Sequence, residues 1–507
     1  MSHASNVAIL APKSPFYQGP FGRLFPNLPA WRPPGVPDSA LEQHFLQIAN
    51  ADMVEFPGVS PGNLLQIPTA VPQPPFDAEL PAGYVYFGQF VDHDITFDPA
   101  SLLMRANDPS GLLNHRTPRL DLDSLYGRGP ADAPFLYDRH TPANAKKFLL
   151  GAIAGVPGGT RATLPDLPRN TEQTALTGDP RNDENAFVAQ LHLACLLAHN
   201  TLVDRAVAAG MAEPFNAARK TLLWLYQWVV WHDFLGRIVD PAIHALALRK
   251  TPNAVGGSQW ESGLKAVFHW KNQPFMPVEF SVAAYRFGHS MVRNAYQTNS
   301  PIRGFGNFAV LFDNSPGAPV PPDDLRGGRT LDIRNYVQWD WFLPMQSSVH
   351  GLFPQRARKL DTKLSNALAA LHEGPAGSPM NVLAFRNLLR GVRLELPSGS
   401  DTARQLGLTP IAIPPDRDSL WFYCLLEAET NPSFPGERLG AVGSTIVAAV
   451  FAGLLTGDPN AWVNVDPAWT PDRDPLLQAS DRIDSAPDWC LSSIIRLAGL
   501  PVDGGDF

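Results

Sequence analysis

The stretch Gly88-Gln89-Phe90-Val91-Asp92-His93-Asp94-Ile95-Thr96-Phe97-Asp98-Pro99 sets a histidine between two aspartates inside an otherwise apolar run. A fold that takes it into the interior must supply partners for three ionisable side chains, because unpaired charge is costly away from water. Read as a helix, successive residues turn by about 100°, so Asp92, His93 and Asp94 cannot share a face. His93 can then enter a pocket while the carboxylates diverge, one of them available to a cation. A helix end with solvated acids and a satisfied histidine would use the same residues. The rest of the chain has to decide.

Of 507 residues, 44 % are hydrophobic and 17 % charged, which fits a globular protein with a large core. The 51 prolines are roughly double average usage and call for short or interrupted elements joined by long, stiffened loops. A formal net charge of −8 with no Lys/Arg block gives no support for nucleic-acid or anionic-membrane binding. Cys195, Cys424 and Cys490 form neither a disulfide framework nor a CxxC metal site. Met1 to Pro12 shows no signal-peptide pattern, and the longest apolar run, Thr445 to Leu455, is too short to cross a bilayer. The expectation is a soluble protein, cytoplasmic or secreted without a leader, with no membrane insertion.

Residues 1–80 are rich in proline and aromatics and read as an arm laid over the main body, with helical periodicity only around Leu41 to Ala51. Beyond the opening stretch, Arg116-Thr117-Pro118-Arg119-Leu120-Asp121-Leu122-Asp123-Ser124-Leu125-Tyr126-Gly127 alternates Asp121 and Asp123 along what reads as an extended segment. With Thr117 they offer the oxygens that a hard cation such as Ca²⁺ requires, although an acidic surface loop has the same composition. In Thr177 to Phe187, Asp179-Pro180 has the form of a cap and first-turn proline ahead of a long apolar helix. Arg181 and Glu184 are three apart there. They make either an intrahelical ion pair or, beside a cofactor, a fixed positive charge and a carboxylate. His192 and His199 read as packing residues, and His232-Asp233 as a hydrogen-bonded core pair on an aromatic helix.

Glu279 to Arg293 shows a helical stripe of Phe280, Ala283, Ala284, Phe287 and Met291, with Gly288 directly before His289. A lone histidine on an apolar stripe is usually a core residue, but a glycine at that point lets something flat and bulky approach the backbone and favours a ligand. Helices follow over 380–392, containing Asn387 and Arg390, and over 438–455. Strand patterns are sparse, so the class is mainly α: one large helical unit with long proline-rich loops and little β.

Collected in order, these segments resemble the animal-type haem peroxidases of the peroxidase–cyclooxygenase superfamily, and more closely their bacterial relatives. The resemblance spans about residues 80 to 460. It implies an N-terminal arm over 1–80, a catalytic domain over 81–460 and a tail over 461–507 packed on that domain. His93 would be the distal acid/base, Gln89 its pocket partner and Arg181 the distal arginine. His289 would ligate the haem iron, with Asn387 accepting its ring N–H and Arg286 and Arg390 near the haem edge. Asp92 and Glu184 would be ester-linked to haem b. Asp94, Thr117, the Arg119 carbonyl, Asp121 and Asp123 would bind Ca²⁺.

Asn185 stands where myeloperoxidase has a haem-bonded methionine, so that link cannot form here and myeloperoxidase-like chloride oxidation is put in doubt. The implied activity is reduction of H₂O₂, through a ferryl intermediate, coupled to oxidation of a halide, thiocyanate or small aromatic donor. Two other activities stand beside it. A fatty-acid dioxygenase of the same superfamily needs a tyrosine three residues before the proximal histidine, where this chain has Arg286, with Tyr285 four before. A metal-dependent hydrolase would use Asp92-His93-Asp94 with His232-Asp233.

Overall fold

The computed structural model describes residues 21–59, 61–67, 75–97, 114–253, 256–270, 274–312, 324–345, 351, 353–371, 377–483 and 487–507. The first 20 residues of the expected arm, and Asp98 and Pro99 of the opening stretch, lie outside them. The α-helices in chain order begin with α1 (Leu41–Ala51), α2 (Gly83–Ile95), α3 (Asp123–Tyr126), α4 (Ala186–Ala208) and α5 (Pro214–Trp228). There follow α6 (Gly236–Ile238), α7 (Pro241–Ala247), α8 (Leu383–Arg393), α9 (Gly399–Gln405) and α10 (Leu420–Glu429). The last three are α11 (Ala441–Gly457), α12 (Trp462–Val465) and α13 (Leu491–Ala498). Among the described residues the strands pair only in twos, and the fold is predominantly α.

Helix α4 is the axis of the core. Asn185 caps it, its side-chain oxygen accepting from the N–H groups of Phe187 and Val188 at 3.1 and 3.0 Å. Apolar residues cover almost its whole circumference, and a helix of that kind is stable only when neighbours surround it. Helices α2, α5 and α13 supply those neighbours. Among the described residues α4 alone is long and apolar enough to cross a membrane, and 83 % of its most apolar window is buried inside the fold.

Helix α2 enters from a short antiparallel pair in which Pro81 faces Arg356, and ends where Thr96 turns extended. The Thr96 hydroxyl donates back to the Asp92 carbonyl and to Asp92 Oδ1, both at 3.0 Å, which closes the last turn. The described part of the arm is anchored at the other wall of the future site. Phe21 and Gly22 run parallel to Met276 and Pro277, and the buried carboxylate of Glu279 accepts from the N–H groups of Leu24 and Phe25.

Three local readings are corrected. The stripe ending at His289 is not a regular α-helix. A π-turn over Glu279–Ala283 meets a 3₁₀ segment over Ala284–Met291, and Ala283 breaks the register at φ −124°, ψ −80°. The Arg286 side chain bonds the Ser281 carbonyl across that junction. The stretch 117–127 is not extended either, because Leu122 is left-handed (φ 56°) and α3 starts at the next residue. Finally, His232 and Asp233 sit in a π-turn over Val229–Leu235 and do not bond each other. Asp233 takes Tyr84, Arg237 and the Leu491 N–H, while the His232 ring packs on Trp228.

Candidate active site

A cavity of about 770 Å³ opens between α2 and the 284–291 segment, within the usual size of small-molecule sites. His93 lines it from α2, and His289 from the 3₁₀ segment. Helical spacing brings Gln89, Asp92 and His93 to that wall together, whereas Asp94 turns the opposite way. Arg181 and Glu184 enter from the turn that precedes α4.

His93 is 4 % exposed, and its two ring nitrogens have different surroundings. Nδ1 lies 2.8 Å from Asn182 Oδ1, and Nε2 lies 4.0 Å from Glu184 Oε1. Burial, assisted by the charge of Arg181, pushes its pKa down to about 4 against the pull of Asp179, Asp92 and Asn182. The ring is therefore neutral at pH 7, as a base must be.

The guanidinium of Arg181 is fixed rather than mobile. Nε and Nη2 donate to Asp179 at 3.1 and 2.8 Å, Nη2 also reaches the carbonyls of His93 and Thr96, and Phe97 stacks beneath at 4.5 Å. Asp179 caps the turn through the Arg181 N–H and also accepts from Arg116. Burial works against its charge, but hydrogen bonding to Arg181 and the charges of Arg181 and Arg116 hold it at about 2. Of the two readings of Arg181 and Glu184, an intrahelical ion pair or a charge and a carboxylate beside a cofactor, the second fits side chains that both line the cavity. Glu184 accepts from Gln89, whose Oε1 takes the Asn185 amide at 3.1 Å. Gln89 thus braces Glu184, and the contact to His93 comes from Asn182.

On the other wall, His289 is driven down to about 3 by burial and by the charge of Arg286. Its Nδ1 lies 2.8 Å from the Asn387 side-chain amide on α8, with Nδ2 as the facing atom. A Cβ added at Gly288 would meet no atom within 4 Å, so bare backbone borders the open cavity there. Arg286 lines the cavity and stands 3.5 Å from Asp92, and Tyr285 donates to the Gly88 carbonyl at 3.2 Å. Together they fix the separation of the two walls. Arg390 lies one turn beyond Asn387 on α8 and is not among the cavity-lining residues.

Behind α2, Asp94 meets Asp121 and Asp123, with one carboxylate oxygen of each within 4.8 Å of the others. The left-handed Leu122 makes this possible, turning the chain so that its own N–H donates to Asp94 at 3.2 Å. Thr117 closes the group, its hydroxyl on Asp121 at 2.7 Å and its N–H on Asp123 at 3.0 Å. Burial raises all three pKa values, and neighbouring carboxylates raise them further. A cation among these oxygens would favour the ionised form of all three, and hard oxygen donors of this kind fit Ca²⁺. The side chain of Arg119 points elsewhere, over Trp270 and towards Asp458.

Several participants were not visible as such in the sequence. Arg116 joins the carboxylate cluster to Asp179, and Phe234 packs on Gly88 under the cavity floor. A strap at Arg326, Gly327 and Gly328 lies along 183–185, with the Gly327 N–H on the Glu184 carbonyl at 3.0 Å. A Cβ on Gly327 would stand 1.7 Å from the Asp183 carbonyl, so only glycine fits. The Gly-Gly pair was the one available signal.

The family model for animal haem peroxidases matches residues 99–413. A peroxidase-like protein of Margaritifera margaritifera is 25 % identical over 166 residues, covering 32 % of this chain and 19 % of that protein. Thyroid peroxidase of Mus musculus is 27 % identical over 200 residues, covering 37 % and 20 %. The matched stretch is thus about a fifth of the length of these curated relatives. Among solved structures, peroxidase A of Dictyostelium discoideum aligns with a TM-score of 0.54 at 16 % identity, over 89 % of this chain and 91 % of that one. The fatty acid alpha-dioxygenase of Oryza sativa aligns at 0.52 and 14 % identity, over 88 % and 76 %. At these identities the structural likeness is one of fold.

Proposed function

Since the chain belongs to the animal haem peroxidase family, we propose that it reduces hydrogen peroxide and oxidises a halide, thiocyanate or small aromatic donor, using haem held between α2 and the 284–291 segment. The observation that carries this reading is that two neutral histidines from different elements, His93 buried and His289 half-buried, line one cavity. The cavity is of fitting size, it has backbone exposed at Gly288 beside His289, and it carries a charged group on either side.

When bound, the haem would supply an iron centre that takes up peroxide and stores the oxidising equivalents released as the O–O bond breaks. His289 would hold it through Nε2, with its ring proton on Nδ1. That state turns Oδ1 of Asn387 to the ring, a rotation of the amide that keeps the contact. Neutral His93 would take a proton on Nε2 and return it to the departing oxygen. Transfer of this kind contributes ~10²–10⁴-fold. Arg181, its orientation set by Asp179, would stabilise the negative charge that develops beside it. Asp92 and Glu184 both line the cavity, which supports their assignment as the carboxylates esterified to haem. Ca²⁺ would occupy Asp94, Thr117, the Arg119 carbonyl, Asp121 and Asp123 and so brace the far side of α2.

Tyr285 also lines the cavity, which bears on the dioxygenase reading. In a 3₁₀ segment the residue three positions earlier eclipses the histidine, and that residue is Arg286. The Tyr285 hydroxyl is committed to Gly88. A peroxidase is therefore favoured. The test is donor oxidation with H₂O₂ set against O₂ uptake with an unsaturated fatty acid. Peroxide-dependent turnover of iodide, thiocyanate or a phenol without O₂ uptake is expected, and the opposite pattern would refute the proposal.

A further inference from the structure

Asn182 is wholly buried on the turn between Arg181 and Glu184, its side-chain amide held between two buried histidines. Oδ1 stands 2.8 Å from Nδ1 of His93, and Nδ2 stands 3.0 Å from Nδ1 of His192. An amide oxygen only accepts and an amide nitrogen only donates. With the amide in this orientation, Nδ1 of His93 carries a proton and Nδ1 of His192 does not. A neutral imidazole has a single N–H, so Nε2 of His93, the nitrogen nearer Glu184, is left as a lone pair. Turning the amide over would place the His93 proton on Nε2 instead. That reversal would move the His192 proton as well, so one amide couples the tautomers of the two rings. Asn182 is itself not among the cavity-lining residues, so it acts through the imidazole.

We propose that Asn182, with His192 behind it, is a positioning residue that fixes His93 in the tautomer whose Nε2 is basic towards the cavity. The inference rests on the peroxidase reading and deepens it. A proton leaving the peroxide is received on Nε2 while Nδ1–H stays bonded to Asn182. The same proton then passes from Nε2 to the departing oxygen, and the ring returns to its starting tautomer. The amide oxygen stabilises the transient imidazolium and exchanges no proton.

Nitrogen-15 NMR of the haem-free protein, labelled at its histidine rings, tests the assignment, with His93→Gln identifying the His93 signals. One neutral tautomer protonated at Nδ1 is expected in the wild type. A proton resident on Nε2, or an even mixture, would overturn the proposal whether or not any variant folds. Asn182→Leu, of similar shape, should give the mixture. In the haem-loaded protein it should slow the reaction with peroxide about 10²-fold at unchanged haem content and melting temperature. Asn182→Asp keeps an acceptor on Nδ1 and should recover most of that loss. Wild-type tautomer and rate in Asn182→Leu would also overturn it. A wild type that binds no haem would instead refute the peroxidase reading, and the NMR result would still decide the tautomer.

Discussion

Arg286 Nη1 lies 3.5 Å from Asp92 Oδ2, an ion pair that joins the two walls of the cavity. Asp92 is buried, which alone would raise its pKa. The charges of Arg286 and Arg181 outweigh burial and keep it ionised.

Arg286→Leu should leave Asp92 without its cross-wall partner and destabilise the haem-free protein by about 1–3 kcal/mol, read by urea denaturation. Adding Asp92→Asn should recover part of that loss, because the stranded charge is removed. In the haem-loaded protein Asp92→Asn should also release more haem to acid–acetone than wild type does. Full release from the wild type would dismiss the ester assignment.

Removing Ca²⁺ should act more strongly at higher pH. Without a cation Asp94, Asp121 and Asp123 hold protons in the folded state that they give up when unfolded, since their folded pKa values are raised. Such groups favour folding at low pH and lose that contribution as pH rises through the folded values. The melting-temperature gap between calcium-saturated and chelated protein should therefore widen from about pH 5 to about pH 8. A gap that is absent, or that narrows over this range, would remove the calcium assignment.

Asn387→Leu should cost about 10–100-fold in haem affinity, the usual effect of losing the group that orients a metal-bound histidine. Haem titration of the two proteins measures it. Equal affinity would mean that the 2.8 Å contact to His289 has no part in binding.

The calcium-saturated, haem-free protein should lose stability as pH falls. Burial holds His93 and His232 at about 4 and His192 and His199 at about 3, below the unfolded value near 6.5. The unfolded chain then binds more protons between those values, so stability is full above about pH 6.5 and declines below it. Each histidine should contribute about 1–2 kcal/mol between pH 6.5 and 5. A His199→Phe variant should show a shallower decline.

His93, Arg181, Glu184 and His289, which share one cavity, and Asp94, which meets two acids behind it, could be picked out as candidates because each sits in a short segment of distinctive residue types and spacing. Helix α1 was legible for the same reason, since an amphipathic period survives in isolation. Asn182 was not, because its meaning lies in His192, ten residues on, and in His93 on another helix. Arg116 gives no local sign that it joins Asp123 to Asp179. The left-handed Leu122 and the π-to-3₁₀ junction at Ala283 were likewise hidden. At Leu122 a tertiary bond to Asp94 overrides what the residue prefers alone, and at Ala283 the Arg286 side chain, bonded to the Ser281 carbonyl five residues back, spans the junction.

The optical spectrum of the purified protein, taken before and after one equivalent of H₂O₂ and repeated for His93→Gln and His289→Gln, tests the two-histidine site most directly. The wild type should show an intense near-ultraviolet haem band that peroxide shifts at once. His93→Gln should keep the band but respond far more slowly, and His289→Gln should lose it or change its form. A colourless wild type, or a haem band indifferent to both substitutions, would contradict the account.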